Sequence, residues 1–144
     1  MTSILVVDDE EEVCAALKRR LQREGYEVTT AGNAAEAIGA IAARPHGFDV
    51  VVTDMSMESP DSGLQVLSHA ISRDLFTEVI VLTAYGNVSN AVESMRRGAF
   101  DYLEKNVPGV DTYEVLVMKV EQAMERRRAA VRTVRRLEKQ AAHR

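Results

Sequence analysis

Ile4-Leu5-Val6-Val7 is an apolar, largely β-branched run that stops abruptly in Asp8-Asp9-Glu10. Apolar residues at every position, rather than at alternate ones, suit a strand covered on both faces, as in a parallel sheet. From Glu11 the period changes: Val13, Ala16, Leu17 and Leu21 recur at helical spacing, and Gly25 is a stop signal. The same passage from strand to polar edge to helix then repeats. Glu27 to Ala31 reads as a second strand, and Asn33 caps a helix through Ala35, Ile38 and Ile41 that ends before Arg44-Pro45. Asp49 to Thr53 is a third strand, again ending in an acid, Asp54. The turn-rich stretch Ser59-Pro60-Asp61-Ser62-Gly63 leads into a helix through Leu64, Val66, Leu67 and Ile71. Glu78 to Leu82 is a fourth strand, ending in Thr83-Ala84, and Val88, Val92 and Met95 carry the next helix to Gly98. Phe100 to Leu103 is a short fifth strand before Glu104-Lys105, and beyond Asp111 one helical pattern runs nearly to the C-terminus.

Strand and helix signals alternating in this way predict an α/β fold, a doubly wound five-stranded parallel sheet with an extended C-terminal helix. Right-handed crossovers leave few possible topologies.

With 144 residues the chain fits one domain, and 46% hydrophobic with 28% charged residues is ordinary for a soluble globular protein. No signal peptide or membrane span is expected, since no apolar stretch approaches the roughly 18 residues a span needs. A single cysteine, Cys14, excludes an internal disulfide and suits a cytoplasmic location; its helical position marks it as a small core residue. The net charge of −4 is uneven: residues 1–110 carry 17 acids against 9 bases, and residues 111–144 carry 5 against 9. So acidic a body argues against direct nucleic-acid binding by the domain.

In open α/β sheets, ligands bind beyond the carboxyl ends of the strands, where the strand order reverses. The polar residues predicted there are Asp8, Asp9, Asp54, Thr83 and Lys105. Clustered carboxylates repel unless a cation compensates them, and a hard oxygen site suits Mg²⁺ or Mn²⁺. Lys105 adds a point charge able to pair with an anion. Such a set suits phosphoryl transfer to a carboxylate, with the cations neutralising the transferring oxygens.

Ile-Leu-Val-Val-Asp8-Asp9-Glu10, Asp49-Val-Val-Val-Thr-Asp54, Val79-Ile-Val-Leu-Thr83-Ala84 and Gly98-Ala-Phe-Asp-Tyr102-Leu-Glu-Lys105 together resemble the receiver domain of two-component response regulators, in order and spacing. The resemblance covers residues 3–120 and implies a flavodoxin-like (βα)5 receiver domain over 1–120, with 121–144 a helical extension or linker. It implies that Asp54 is the phospho-acceptor, supplied by a sensor histidine kinase or phosphotransfer protein in a phosphorelay. Asp9 would bind Mg²⁺ directly, Asp8 through water, and Ser56 through its backbone carbonyl, with Asp54 completing the set. Thr83 and Lys105 would hold phosphate oxygens. Thr83 and Tyr102 would form the switch that alters the surface of the fourth helix, fifth strand and fifth helix. On this reading the chain is not an enzyme beyond catalysing its own phosphorylation and dephosphorylation.

The sequence departs from the family pattern in two places. Asn106 follows Lys105 where proline is usual, with Pro108 only later, so the Lys105–Asn106 bond should be trans, a non-proline cis bond costing about 3 kcal/mol. Met57 is kept, but Glu58 replaces a proline and Gly63 lies nine residues after Asp54, giving a loop one residue longer than usual. That loop is expected to be more mobile and acidic. Ser56 and Tyr85, two residues beyond Asp54 and Thr83, match positions that in the family modulate water attack on the acyl phosphate. The bulk of Tyr85 predicts a long-lived phospho-state.

Other readings need different features. An isolated Asp8-Asp9 pair would cap a helix. A phosphatase using an aspartyl-phosphate needs a second acid/base aspartate near the nucleophile, where Ser56 stands. A degenerate receiver acting only as a binding module would not need the full set of Asp8, Asp9, Asp54, Thr83 and Lys105. His46, His69 and His143 show no ligand spacing, and the methionines from Met55 onward read as core and loop filler.

In the last helix Val117, Val120, Met124, Val131 and Val134 approach a heptad seam, interrupted by Arg127 and Glu138. Arg126-Arg127-Arg128, Arg132 and Arg135-Arg136 coat it. It reads either as a solvated extension or as a homodimeric signalling helix leading to an output beyond Arg144.

Overall fold

The computed structural model describes residues 1–84 and 88–143. Its elements run β1 (Ser3–Val7), α1 (Glu11–Arg23), β2 (Glu27–Ala31), α2 (Ala34–Ala43), β3 (Val50–Asp54), α3 (Ser62–Arg73), β4 (Glu78–Thr83), α4 (Val88–Arg96), β5 (Asp101–Glu104) and α5 (Thr112–Ala142). The strands form one parallel sheet in the order β2-β1-β3-β4-β5. The chain runs outward from β1 to β2 and then crosses back to β3, so strand order reverses between β1 and β3. The α/β doubly wound sheet expected from the sequence is the observed fold, with boundaries shifted by about a residue at β3, β4 and β5.

Side-chain alternation divides the core. Leu5, Val7, Val51, Val79 and Val81 point to the face covered by α2 and α3, while Ile4, Val6, Val50, Val52, Ile80 and Leu82 point to the face covered by α1 and α5. Being buried on both sides, these strands are apolar at every position. α1 buries Cys14, Leu17 and Leu21, and Gly25 ends the passage at φ +91°, a left-handed turn that glycine adopts without strain. Asn33 caps α2 by accepting the Glu36 amide proton.

α4 departs from the usual logic of amphipathic helices. Val88, Val92 and Met95 are 81%, 50% and 47% exposed, whereas Ser94 is fully buried. Its hydroxyl donates to the Asn90 carbonyl, so the inward polar group is satisfied within the helix. Met95 and Met118 lie on the surface, not in the core.

α5 is 31 residues long, about 46 Å at 1.5 Å per residue. Asp111 caps it by accepting the Tyr113 and Glu114 amide protons. Leu116, Val117, Val120, Ala123 and Met124 are buried against the sheet. The first part of the heptad-like seam is therefore spent on the protein's own core, and only residues after Arg128 remain for another helix.

Two of the arginines expected to coat the helix anchor it instead. Arg127 Nε lies 2.8 Å from Asp49 Oδ1 and its Nη2 3.0 Å from Asp74 Oδ2. Arg126 Nε lies 2.8 Å from Glu78 Oε2, a carboxylate whose pKa burial pushes up against the pull of both arginines. Asp49, Asp74 and Glu78 all lie near the amino ends of β3 and β4, the sheet edge opposite Asp8 and Asp54.

On the other edge, Gly63 opens α3 against the end of β3. Its amide donates to the Met55 carbonyl at 2.7 Å, and a Cβ there would stand 2.6 Å from the Asp54 carbonyl oxygen and 2.8 Å from Met55 Cα. Close backbone approach, not unusual dihedrals, demands glycine at this position.

Arg127→Ala is expected to lower stability by about 1–2 kcal/mol, a buried-pair loss discounted for partial solvent screening, read by urea unfolding; an unchanged midpoint would show the ion pairs to be idle. Gly63→Ala is expected to cost about 2 kcal/mol or more by overpacking backbone that cannot yield, and a wild-type melting temperature would refute that close approach.

Candidate functional site

The strand register brings the polar ends together. Val7 pairs with Thr53, so Asp8 and Asp54 emerge level on neighbouring strands at the point where the strand order reverses. Asp54 pairs with Leu82 and Thr83 with Glu104, which sets Thr83 and then Lys105 one residue further out along the same edge.

Asp8 is 2% exposed. Its Oδ1 accepts the Glu10 amide proton at 2.9 Å, and its Oδ2 receives the Lys105 ammonium at 2.5 Å. The same ammonium lies 3.5 Å from Asp54 Oδ2. Burial pushes the Asp54 carboxyl up, Lys105 pulls it back down, and the Asp8 charge adds to the upward push. For Lys105, burial opposes its charge, but the Asp8 hydrogen bond and the neighbouring carboxylates outweigh it and hold its pKa above the usual value.

The lysine is placed by its backbone on both sides. Its amide donates to the Thr83 carbonyl at 2.6 Å, and the Thr112 hydroxyl donates to its own carbonyl at 2.6 Å. The Lys105–Asn106 bond is trans, as the missing proline predicts. The buried Thr83 sits beside this junction.

Asp8, Asp9 and Asp54 bring one oxygen each within 4.8 Å of one another, with Asp9 exposed and the other two buried. Hard carboxylate oxygens at that spacing fit a divalent cation such as Mg²⁺. The capping alternative for the pair fails: the α1 N-cap is Glu10, which makes no side-chain cap bond. Cys14 lies behind the cluster, its thiol donating to the Asp8 carbonyl at 3.2 Å, and burial pushes its pKa up, away from a reactive thiolate.

The Ser56 hydroxyl bonds within its own loop, donating to the Pro60 carbonyl at 3.1 Å. No described hydrogen bond ends on the Ser56 carbonyl oxygen. The loop expected to be mobile is held by bonds of its own: the Met57 amide donates to the Ser59 carbonyl, the Ser59 amide to the Ser62 hydroxyl, and the Ser59 hydroxyl to Asp61. Glu58, read from sequence only as an acidic substitution, reaches across to α2. Both of its carboxylate oxygens accept the Ala34 amide proton, at 2.9 and 3.1 Å, which lowers its pKa. No sequence periodicity signals that contact, because 24 residues separate the partners.

Tyr102 stands opposite Val81 in the β4–β5 ladder and packs on the α2/α3 face, its hydroxyl buried with no partner among the described residues. Tyr85 lies outside the described residues.

The sequence model of the response regulator receiver domain matches residues 4–117. The acid tolerance regulatory protein ActR of Rhizobium meliloti (strain 1021) is 35% identical over 117 residues, 81% of this chain and 59% of the relative. Two other curated relatives are spanned to only 20% and 22% of their length. Among solved structures, the response regulator TrrA of Thermotoga maritima in complex with Mg²⁺-BeF shares 33% identity and a TM-score of 0.71, with 85% of this chain and 99% of that one covered. The beryllofluoride-activated NtrC4 receiver domain dimer shares 31% identity and a TM-score of 0.75, covering 88% and 99%. Carrying that match along nearly its whole sheet, with the acidic cluster and the lysine on one edge, the chain belongs to the response regulator receiver domain family of two-component systems.

Proposed function

We propose that Asp54 accepts a phosphoryl group from a phosphohistidine donor and that its occupancy sets the state of the α4–β5–α5 surface. The observation that carries this reading is the Lys105 ammonium held between Asp8 and Asp54 beside a three-carboxylate cluster. In the transfer, an Asp54 carboxylate oxygen forms a bond to phosphorus while the phosphorus–nitrogen bond breaks, and the imidazole leaves with the electron pair and takes up a proton. Asp9, Asp54 and the Ser56 carbonyl would hold Mg²⁺ or Mn²⁺ directly, and Asp8 through water. The bound cation would neutralise charge on the transferring oxygens. Lys105 would exchange part of its pairing with Asp54 for a phosphate oxygen, and the Thr83 hydroxyl would hold another.

Tyr102 then supplies the readout. Its hydroxyl is buried with no partner among the described residues, a costly arrangement that leaves the ring something to gain by moving when Thr83 shifts toward the phosphoryl group. The donor protein would approach over the cavity of about 350 Å³ beside Lys105, whose walls include Glu10, Val13, Asn106, Val110 and Tyr113. No helix among the described residues is long and apolar enough to cross a membrane. A homodimer through the helical extension, residues 121–144, would rest on Val131, Val134 and Leu137, because the earlier apolar positions are buried at home.

Incubated with Mg²⁺ and acetyl phosphate, the chain is expected to gain the mass of one phosphate. The gain should vanish in Asp54→Ala and with EDTA; labelling that survives either change would overturn the assignment. Tyr85→Ala is expected to shorten the phospho-state lifetime by about twofold or more by admitting water, and an unchanged lifetime would remove Tyr85 from that role.

A further inference from the structure

Residues 56–61 follow Asp54 and Met55 directly and carry the Ser56 carbonyl, the backbone ligand in the cation reading above. Asp54 at one end belongs to β3, and Gly63 at the other is pinned on the Met55 carbonyl. Between these points most of the hydrogen bonds close within the loop or onto the start of α3. The single described exception is Glu58, which reaches the Ala34 amide at the N-terminus of α2. That end of α2 follows β2 directly, where the Ala31 carbonyl accepts the Asp8 amide proton at 3.1 Å. The Glu58 carboxylate therefore ties the loop to the segment that borders Asp8 and Asp9.

We propose that Glu58 is a positioning residue for the cation site: its bond to α2 holds the longer loop so that the Ser56 carbonyl faces Asp9 and Asp54. The inference rests on the reading of the acidic cluster as a Mg²⁺ site. Physically, the extra residue adds backbone freedom between Met55 and Gly63, and bonds internal to a loop stiffen it without fixing where it sits relative to the rest of the fold. An outside tether does fix that, and outer-shell tethers matter because they orient the ligand before the ion arrives. The α2 N-terminus is a favourable partner, since its first amides have no intrahelical acceptor. An amide oxygen can accept the same bond, so the role depends on the acceptor and not on the charge.

The test uses the full chain, its Glu58→Ala and Glu58→Gln variants, and Mg²⁺ titrated by calorimetry at 0.15 M salt. Glu58→Ala is expected to weaken Mg²⁺ binding about tenfold, while Glu58→Gln stays within about twofold of the parent because its carbonyl oxygen still accepts the Ala34 proton. Hydrogen exchange of the Ala34 amide should accelerate in Glu58→Ala and not in Glu58→Gln, which ties the affinity change to this contact. A purely structural role would lower the melting temperature of Glu58→Ala without Mg²⁺ and leave its affinity for the ion unmoved; that result overturns the proposal. Equal weakening in both variants also overturns it, because charge rather than position would then matter. Absence of Mg²⁺ binding by the parent chain would instead remove the cation-site reading itself.

Discussion

Three carboxylates, Asp8, Asp9 and Asp54, share one small volume at the carboxyl edge of the sheet. Two unit charges about 4 Å apart repel by about 4 kcal/mol at an effective dielectric of 20, so the cluster is tolerable only with positive charge beside it. Lys105 supplies that charge from within the chain, bridging Asp8 and Asp54. Its side chain can reach them only because its backbone is fixed by the Thr83 carbonyl on one side and the Thr112 hydroxyl on the other. The register of β5 against β4, the start of α5 and the acidic cluster are therefore parts of one electrostatic arrangement. One compensating cation is thus built into the cluster, and the remaining negative charge invites a second.

The opposite edge of the sheet has a mechanical character. There Arg126 and Arg127 pair with Glu78, Asp49 and Asp74 near the amino ends of β3 and β4. The pairs lie at the point where α5 leaves the domain, just beyond its last buried residue, Met124. The direction in which the helical extension departs is thus set by ion pairs to the body of the domain as well as by apolar packing. The anchors thus lie across the sheet from Asp54, at the far ends of strands buried on both faces.

The loop after β3 joins these themes. Gly63 at its far end meets the backbone of β3 at a distance that admits no side chain. The loop between is tied outward to α2 by Glu58. Both departures from the family pattern, this loop and Asn106 after Lys105, fall on segments flanking the acidic cluster and leave its residues in position.

The alternation of apolar runs and helical periods was sufficient to name a parallel α/β sheet, and acids, threonine and lysine at the ends of those runs were sufficient to mark the site. Both are legible because strand ends and periodicity are local properties, and a parallel sheet carries all its strand ends to one edge. Other features were not legible. Val88, Val92 and Met95 have helical spacing, yet they face solvent, because spacing alone does not say which side of a helix meets the core. Arg127 looked like a break in a seam until three acids from distant parts of the chain were found around this end of α5. Glu58 looked like a stray acid until α2 was seen to lie within its reach. By itself the sequence determined the fold class and the sheet edge at which Asp8, Asp9, Asp54 and Lys105 lie together. The tertiary structure alone decided where α5 is anchored, which apolar rows remain exposed and how the long loop is held, because each depends on contacts between residues far apart in the chain.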